Sequence, residues 1–114
     1  MSITLSIDEI AELQKKYSYL TNYQADDPDA PIDPITYRDS DGDSLLHIAA
    51  RNGDARTVEL LLKAGVDANL VGDMGATPLH CAMEKRHVAV AQLLVGHGAR
   101  SDIRNQFGKT PRDI

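Results

Sequence analysis

A period of 33 residues constrains this chain more than any other feature of its sequence. Gly42, Gly75 and Gly108 are spaced by 33, as are Ser44, Thr77 and Thr110. Within the same frame Leu46-His47-Ile48-Ala49 returns as Leu79-His80-Cys81-Ala82, and Glu59-Leu60-Leu61-Leu62 returns as Gln92-Leu93-Leu94-Val95. A fixed period of this length marks a repeat array, in which each unit is one supersecondary element that cannot bury its own apolar face. The units must therefore stack, each covering its neighbour.

Each unit reads as turn, helix, turn, helix, turn. Asp41-Gly42 and Met74-Gly75 suit a tight projecting turn, and Ser44 or Thr77 follows as a helix N-cap. Pro78 sits at an early helical position, where its missing N–H costs nothing. The first helices are predicted over 45–52 and 78–85, with Ala49, Ala50 and Ala82 permitting close helix approach. The second helices are predicted over 55–64 and 88–96, with Val58, Leu61 and Leu62 answered by Val90, Leu93 and Leu94 at helical spacing. Gly65 and Gly98 stop them.

With Thr77-Pro78-Leu79-His80 intact, and Ser44 to His47 a partial copy, the sequence resembles the ankyrin repeat. The resemblance covers 38–114, as full repeats over 39–71 and 72–104 and a partial third over 105–114. It implies an all-α ankyrin-repeat solenoid. Leu45 replaces the usual proline, and Arg86 stands where the family places a glycine between helices, which predicts strain at that turn.

Two repeats and a fraction leave apolar ends exposed, so residues 1–37 are expected to help close the array. Ser6 and Glu9 form a possible capping box, and Ile7, Ile10, Leu13, Tyr17 and Leu20 share one helical face, predicting an N-terminal capping helix over 6–21. Pro28, Pro31 and Pro34 recur among aspartates, predicting an extended, polyproline-like linker. At the other end Thr110-Pro111 begins only one helical turn, so the C-terminal cap reads as trimmed.

A length of 114 residues gives room for one domain, and 42% hydrophobic with 25% charged residues is the composition of a folding chain. The net charge of −5 lies entirely in residues 1–37, which carry seven acids against Lys15 and Lys16, while 38–114 carry ten acids and ten bases. That distribution repels phosphate backbones and attracts a basic protein surface. No window reaches the roughly 18 apolar residues of a membrane span, and no basic leader precedes an apolar run. A single cysteine, Cys81, excludes an internal disulfide framework. The expectation is a cytoplasmic protein, monomeric when free, with no nucleic-acid or membrane partner.

Asp39, Asp41 and Asp43 alternate like the start of an EF-hand loop, but Ser44 and Ala50 stand where that loop needs Gly and Glu. His80, Cys81, Glu84 and His87 crowd one stretch. The resemblance makes His80 and His47 structural, however, and Cys81 aligns with Ile48 as a buried filler; His87 and His97 take ordinary surface places. No phosphate loop or paired-carboxylate motif occurs, so neither a cofactor nor a metal is expected and the chain is not read as an enzyme.

The ankyrin family binds partners with its projecting turns and the exposed edge of its first helices. Carried over by position, that surface comprises Ser40, Asp41, Asp43, Arg51 and Asn52, then Asp73, Met74, Ala76, Glu84 and Lys85, then Gln106, Phe107 and Lys109. Met74 and Phe107 are apolar at turn tips 33 residues apart, a feature of interface anchors, the alternative for Phe107 being packing on the chain end. The resemblance extends to small freestanding bacterial ankyrin proteins, some of which are similar to immunity proteins. It implies a non-catalytic module that binds, and by that resemblance inhibits, a basic protein such as a toxin or effector enzyme. A passive adaptor and a Cys81-dependent enzyme are the alternatives.

Overall fold

The computed structural model describes residues 5–114 and is all-α. Its helices are α1 (Ile7–Lys16), α2 (Leu45–Asn52), α3 (Ala55–Lys63), α4 (Pro78–Glu84) and α5 (Val88–Gly96). A 3-10 segment at Asp73–Gly75 forms the turn before α4, and another at Pro111–Asp113 follows α5. α2 pairs with α3 and α4 with α5; α2 then packs on α4 and α3 on α5, so two helix hairpins stack in the register of the 33-residue period.

The helix boundaries follow from local chemistry. At α2 and α4 the hydroxyls of Ser44 and Thr77 accept from the N–H groups of His47 and His80, and the imidazole Nδ1 accepts the cap's own N–H in return. Gly53 ends α2 at φ 72° and Gly65 follows α3 at φ 90°, both in the left-handed region that glycine enters freely. After α4 the place of Gly53 is taken by Arg86, at φ 59°. The strain expected there is thus present as a left-handed non-glycine, which costs about 1–2 kcal/mol.

The core is aliphatic. Leu46, Leu60, Leu61, Val90 and Leu94 are fully buried, and so are Ala49, Ala50 and Ala82 on the first helices. Cys81 lies among them. Such a core stabilises through apolar area removed from water, about 25 cal/mol per Å².

The N-terminal segment packs against the start of α3, in a different shape from the one the sequence predicts. The first four residues assigned to it lie outside the described residues. The capping box of Ser6 and Glu9 forms, but α1 stops at Lys16 instead of running to 21. Ser18, Tyr19, Thr21 and Asn22 are poor helix formers. Asn22 is more useful outside a helix, where its N–H and side-chain amide donate to the carbonyls of Pro28 and Pro31. Ile7 is 85% exposed and off the packed face, whereas Leu13 and Tyr17 are buried.

Residues 22–37 are not an extended polyproline strand. They form a loop closed by successive turns, in which the side chains of Asp27 and Asp33 accept backbone N–H groups two residues on. The loop drives Ile32 and Tyr37 into the core. Tyr17 donates to Asp54 at 2.7 Å, Lys16 pairs with the same carboxylate at 3.3 Å, and Arg56 pairs with Glu12 at 3.2 Å, fastening α1 to the start of α3.

Candidate protein-binding surface

The projecting turns are built by side chains that replace backbone partners. In the first turn Asp39 Oδ1 accepts the N–H groups of Asp41 and Asp43; in the third, Asn105 Oδ1 accepts those of Phe107 and Lys109. The second turn has Gly72 at the corresponding place and no side chain to do this. There Asp43 reaches across from the preceding repeat, and its Oδ1 accepts the Asp73 N–H at 2.9 Å. A Cβ on Gly72 would lie 2.3 Å from that oxygen, so glycine is required by close approach. The second turn is accordingly shaped differently, with Met74 at φ 57°.

Histidines then tie each turn to the repeat before it. His47 Nδ1 accepts from the Ser44 N–H, so the ring proton is on Nε2, which donates to the carbonyl of Ala76 at 2.9 Å. His80 repeats this with Thr77 and the carbonyl of Lys109 at 2.9 Å. Burial holds the His47 imidazole below its ordinary pKa, with the bond to the Ala76 carbonyl and the nearby carboxylate of Asp43 opposing. His87 departs from its expected surface place. It is half-buried against Gly53, and its Nε2 donates to the Arg51 carbonyl at 3.1 Å.

Between the second and third turns and α4 this framework encloses a concave groove of about 340 Å³. Seven residues expected at a contact surface line it together: Arg51, Asp73, Met74, Ala76, Glu84, Phe107 and Lys109. Met74 and Phe107 are both exposed, on adjacent turns that the Gln106 N–H joins to the Met74 carbonyl. Ser40, Asp41, Asn52, Lys85 and Gln106 are exposed but outside it.

Asp43 is the correction to this set. It is 3% exposed, and its carboxylate is committed to Asp73 and to Arg51, whose Nη2 lies 3.1 Å from Oδ2. It shapes the surface from beneath and offers no oxygen to a partner. Four lining residues were absent from the expected set: His80, Cys81, Asn105 and Ile114. The first two share the inner edge of α4 with Glu84, and helical spacing alone could have found them.

The Cys/His stretch is structural in geometry. Burial pushes the Cys81 thiol up to about 11, with the Arg51 guanidinium opposing, and both ring nitrogens of His80 are already bonded. The thiol therefore stays protonated near neutrality, the unreactive form. In the aspartate-rich first turn the Asp39 and Asp43 carboxylates accept backbone amides, which turns them away from any shared cation site. Among the described residues no three His, Cys, Asp or Glu side chains gather as metal ligands would, and no helix is long and apolar enough to cross a membrane.

A family model described as ankyrin repeats (3 copies) matches residues 14–107. The chain belongs to the ankyrin-repeat family. Among curated proteins, human Rabankyrin-5 is 39% identical over 72 residues, covering 62% of this chain and 6% of that protein. The ADP-ribosylation factor GTPase-activating protein AGD2 of Arabidopsis thaliana is 42% identical over 67 residues, 59% of this chain and 9% of its own length. Human neurogenic locus notch homolog protein 1 is 39% identical over 74 residues, 64% and 3% respectively. This ankyrin chain thus spans less than a tenth of these relatives, and the likeness lies in the repeats. Ankyrin repeats are protein–protein interaction modules.

Proposed function

We propose that this ankyrin chain binds one protein partner in the concave groove between its second and third turns, without chemistry of its own. The supporting observation is the convergence of seven expected contact residues on that groove, with Met74 and Phe107 exposed on the turns that border it. Aromatic and Met side chains are enriched at protein interfaces, where they serve as anchors. Asp73 and Glu84 line the groove beside Arg51 and Lys109, which balance them, so the preference for a basic partner rests on Asp39 and Asp41 of the preceding turn and on the acidic N-terminal segment. The acidic segment 26–33 adds long-range attraction that speeds encounter.

A chain that covers a basic surface in this way would block it. The toxin-silencing role of an immunity protein is one outcome of such binding, and passive recruitment is the other. They are separated by whether the partner's own activity falls when the chain is added.

Partner captured from native lysate and purified supplies the assay. Met74→Ala and Phe107→Ala should each weaken binding by about 1–3 kcal/mol with little change in melting temperature, because both side chains are exposed. Glu59→Ala and Gln92→Ala, on the second helices, should shift it by less than about 0.5 kcal/mol. Association should also slow as salt is raised. Normal binding by the tip variants with loss in the second-helix variants would move the site to the convex face.

A further inference from the structure

All four tyrosines of the chain lie between positions 17 and 37, in the segment that packs against the first repeat. Two of them are structural. Tyr17 and Tyr37 are buried, and their hydroxyls donate to Asp54 and to the Thr21 carbonyl. Tyr19 and Tyr23 have no such duty, being 67% and 57% exposed with no protein partner for either hydroxyl among the described residues.

The exposed pair stands at one place on the surface. The Tyr19 ring lies 6.0 Å from that of Tyr17, centroid to centroid. Tyr37 holds the Thr21 carbonyl at 3.0 Å and Gln24 donates to the Arg38 carbonyl at 3.4 Å, so residues 21–24 run alongside 37–38. Burial raises the pKa of the Tyr37 phenol, and Asp39, Tyr23 and Tyr19 are near enough to raise it further. Tyr19 and Tyr23 thus flank the buried Tyr37.

Their surroundings remain anionic once the cations are counted. Residues 17–39 hold Asp26, Asp27, Asp29, Asp33 and Asp39 against Arg38 alone. Arg38 directs its guanidinium at the carbonyls of Gly42 and Val71, Lys16 is paired with Asp54, and Lys15 borders a cleft with Asp29. Among the described residues Asp26, Asp27, Asp33 and Asp39 form no ion pair.

We propose that this tyrosine pair is a second contact surface, apart from the concave groove, and that it takes an arginine-bearing segment of the partner. A guanidinium answers both features of the patch, because it is planar, stacks on an aromatic face and keeps its charge for the neighbouring carboxylates. A lysine ammonium is a strongly hydrated point charge that satisfies the carboxylates and cannot stack. Tyrosine offers rigid contact area at small cost in side-chain freedom, which suits it to a binding surface. The inference rests on the reading of a basic partner, and not on the groove being its seat.

The probe is a short capped peptide of alternating arginine and glycine, titrated into the whole protein at physiological salt and followed by two-dimensional NMR, beside the same peptide with lysine for arginine. Amide shifts should centre on 19–24 and 37–39. The lysine peptide should bind about two- to fivefold more weakly, and Tyr19→Leu and Tyr23→Leu should each weaken the arginine peptide by about the same factor, the range of one exposed cation–π contact. Melting temperatures recorded alongside show that the variants are folded, and the comparison of the two peptides needs no variant at all. Met74→Ala and Phe107→Ala should leave peptide binding unchanged. Equal binding of the two peptides, or leucine variants that bind as the native chain does, reduces the patch to bare charge and overturns the proposal. So do shifts centred on the second and third turns, which would put the basic segment in the groove. A purified partner that loses affinity with Met74→Ala and with neither leucine variant removes this surface and leaves the groove standing; the reverse pattern removes the groove alone.

Discussion

Gly72 and Asp43 exchange roles with Asn105 and Ala76 one repeat on. At the first pair the turn-holding oxygen comes from the preceding repeat; at the second it comes from the turn itself, and the preceding repeat carries only a methyl. Each arrangement is complete, and mixing them is not. Gly72→Asn should cost about 2–3 kcal/mol by overpacking against the Asp43 carboxylate. Asp43→Ala should cost about 1–3 kcal/mol by stripping the Asp73 N–H and Arg51 of their acceptor. The double variant restores the Ala76–Asn105 pattern, and should recover at least about 1 kcal/mol of the summed loss. Urea melts of the three variants measure this, and strict additivity would show the two sites to be independent. At Arg86 the sign reverses. Arg86→Gly should stabilise the fold by about 0.5–1 kcal/mol, seen as a higher melting temperature, because it removes a left-handed side chain.

At the scale of elements, the repeat helices were legible to within a residue or so, because caps, glycines and apolar spacing agreed in both units. The cap helix was legible in its start and not in its end: Ser6 and Glu9 are a local signal, whereas the stop at Lys16 depends on what Asn22 does with a loop that has yet to close. The linker misled for a related reason. Prolines at every third place suggest polyproline, but Ile32 and Tyr37 gain more by burial, and that gain exists only once the stack is there to receive them. In the binding surface, Asp43 looked like its neighbours Asp39 and Asp41, and only the absence of a side chain at Gly72 explains its burial. The cap's attachment is testable through Tyr17→Phe, which removes a bond to a part-buried carboxylate and should cost about 1–2 kcal/mol. Deleting residues 1–24 exposes the core under Leu13 and Tyr17, and should lower the melting temperature sharply or cause aggregation. An unchanged melting temperature in the deletion would mean that the segment is ornamental.

Across the whole molecule the first repeat is joined to the second through the buried His47 imidazole, so stability should respond to pH. The folded state lowers the pKa of His47 from an unfolded value near 6.5, and the fold therefore favours the unprotonated ring. Its contribution is complete above about pH 6.5 and is lost as pH falls toward the folded value, because the unfolded chain takes up the proton first. At Asp54 burial raises the pKa, but bonds from Thr57, Tyr17 and Lys16 outweigh it and leave the net shift downward. This group holds its stabilisation until pH drops below about 4. Denaturation followed between pH 8 and pH 3 should thus weaken in two windows, and His47→Gln should flatten the upper one. A profile that is level from pH 8 to pH 5 would deny His47 this part.

The third turn supplies one wall of the groove, yet it is fastened to the rest of the molecule chiefly by two bonds, from His80 Nε2 to the Lys109 carbonyl and from the Gln106 N–H to the Met74 carbonyl at 2.8 Å. Both cross the floor or rim that a bound partner would cover. Brief openings at this end should expose the Gln106 amide to hydrogen–deuterium exchange without disturbing α2 or α3, which exchange rates measured amide by amide would check. A partner seated between Met74 and Phe107 can bind only the closed form, so its affinity includes the equilibrium for latching this wall. The exchange rate at one amide therefore reports occupancy of the whole groove.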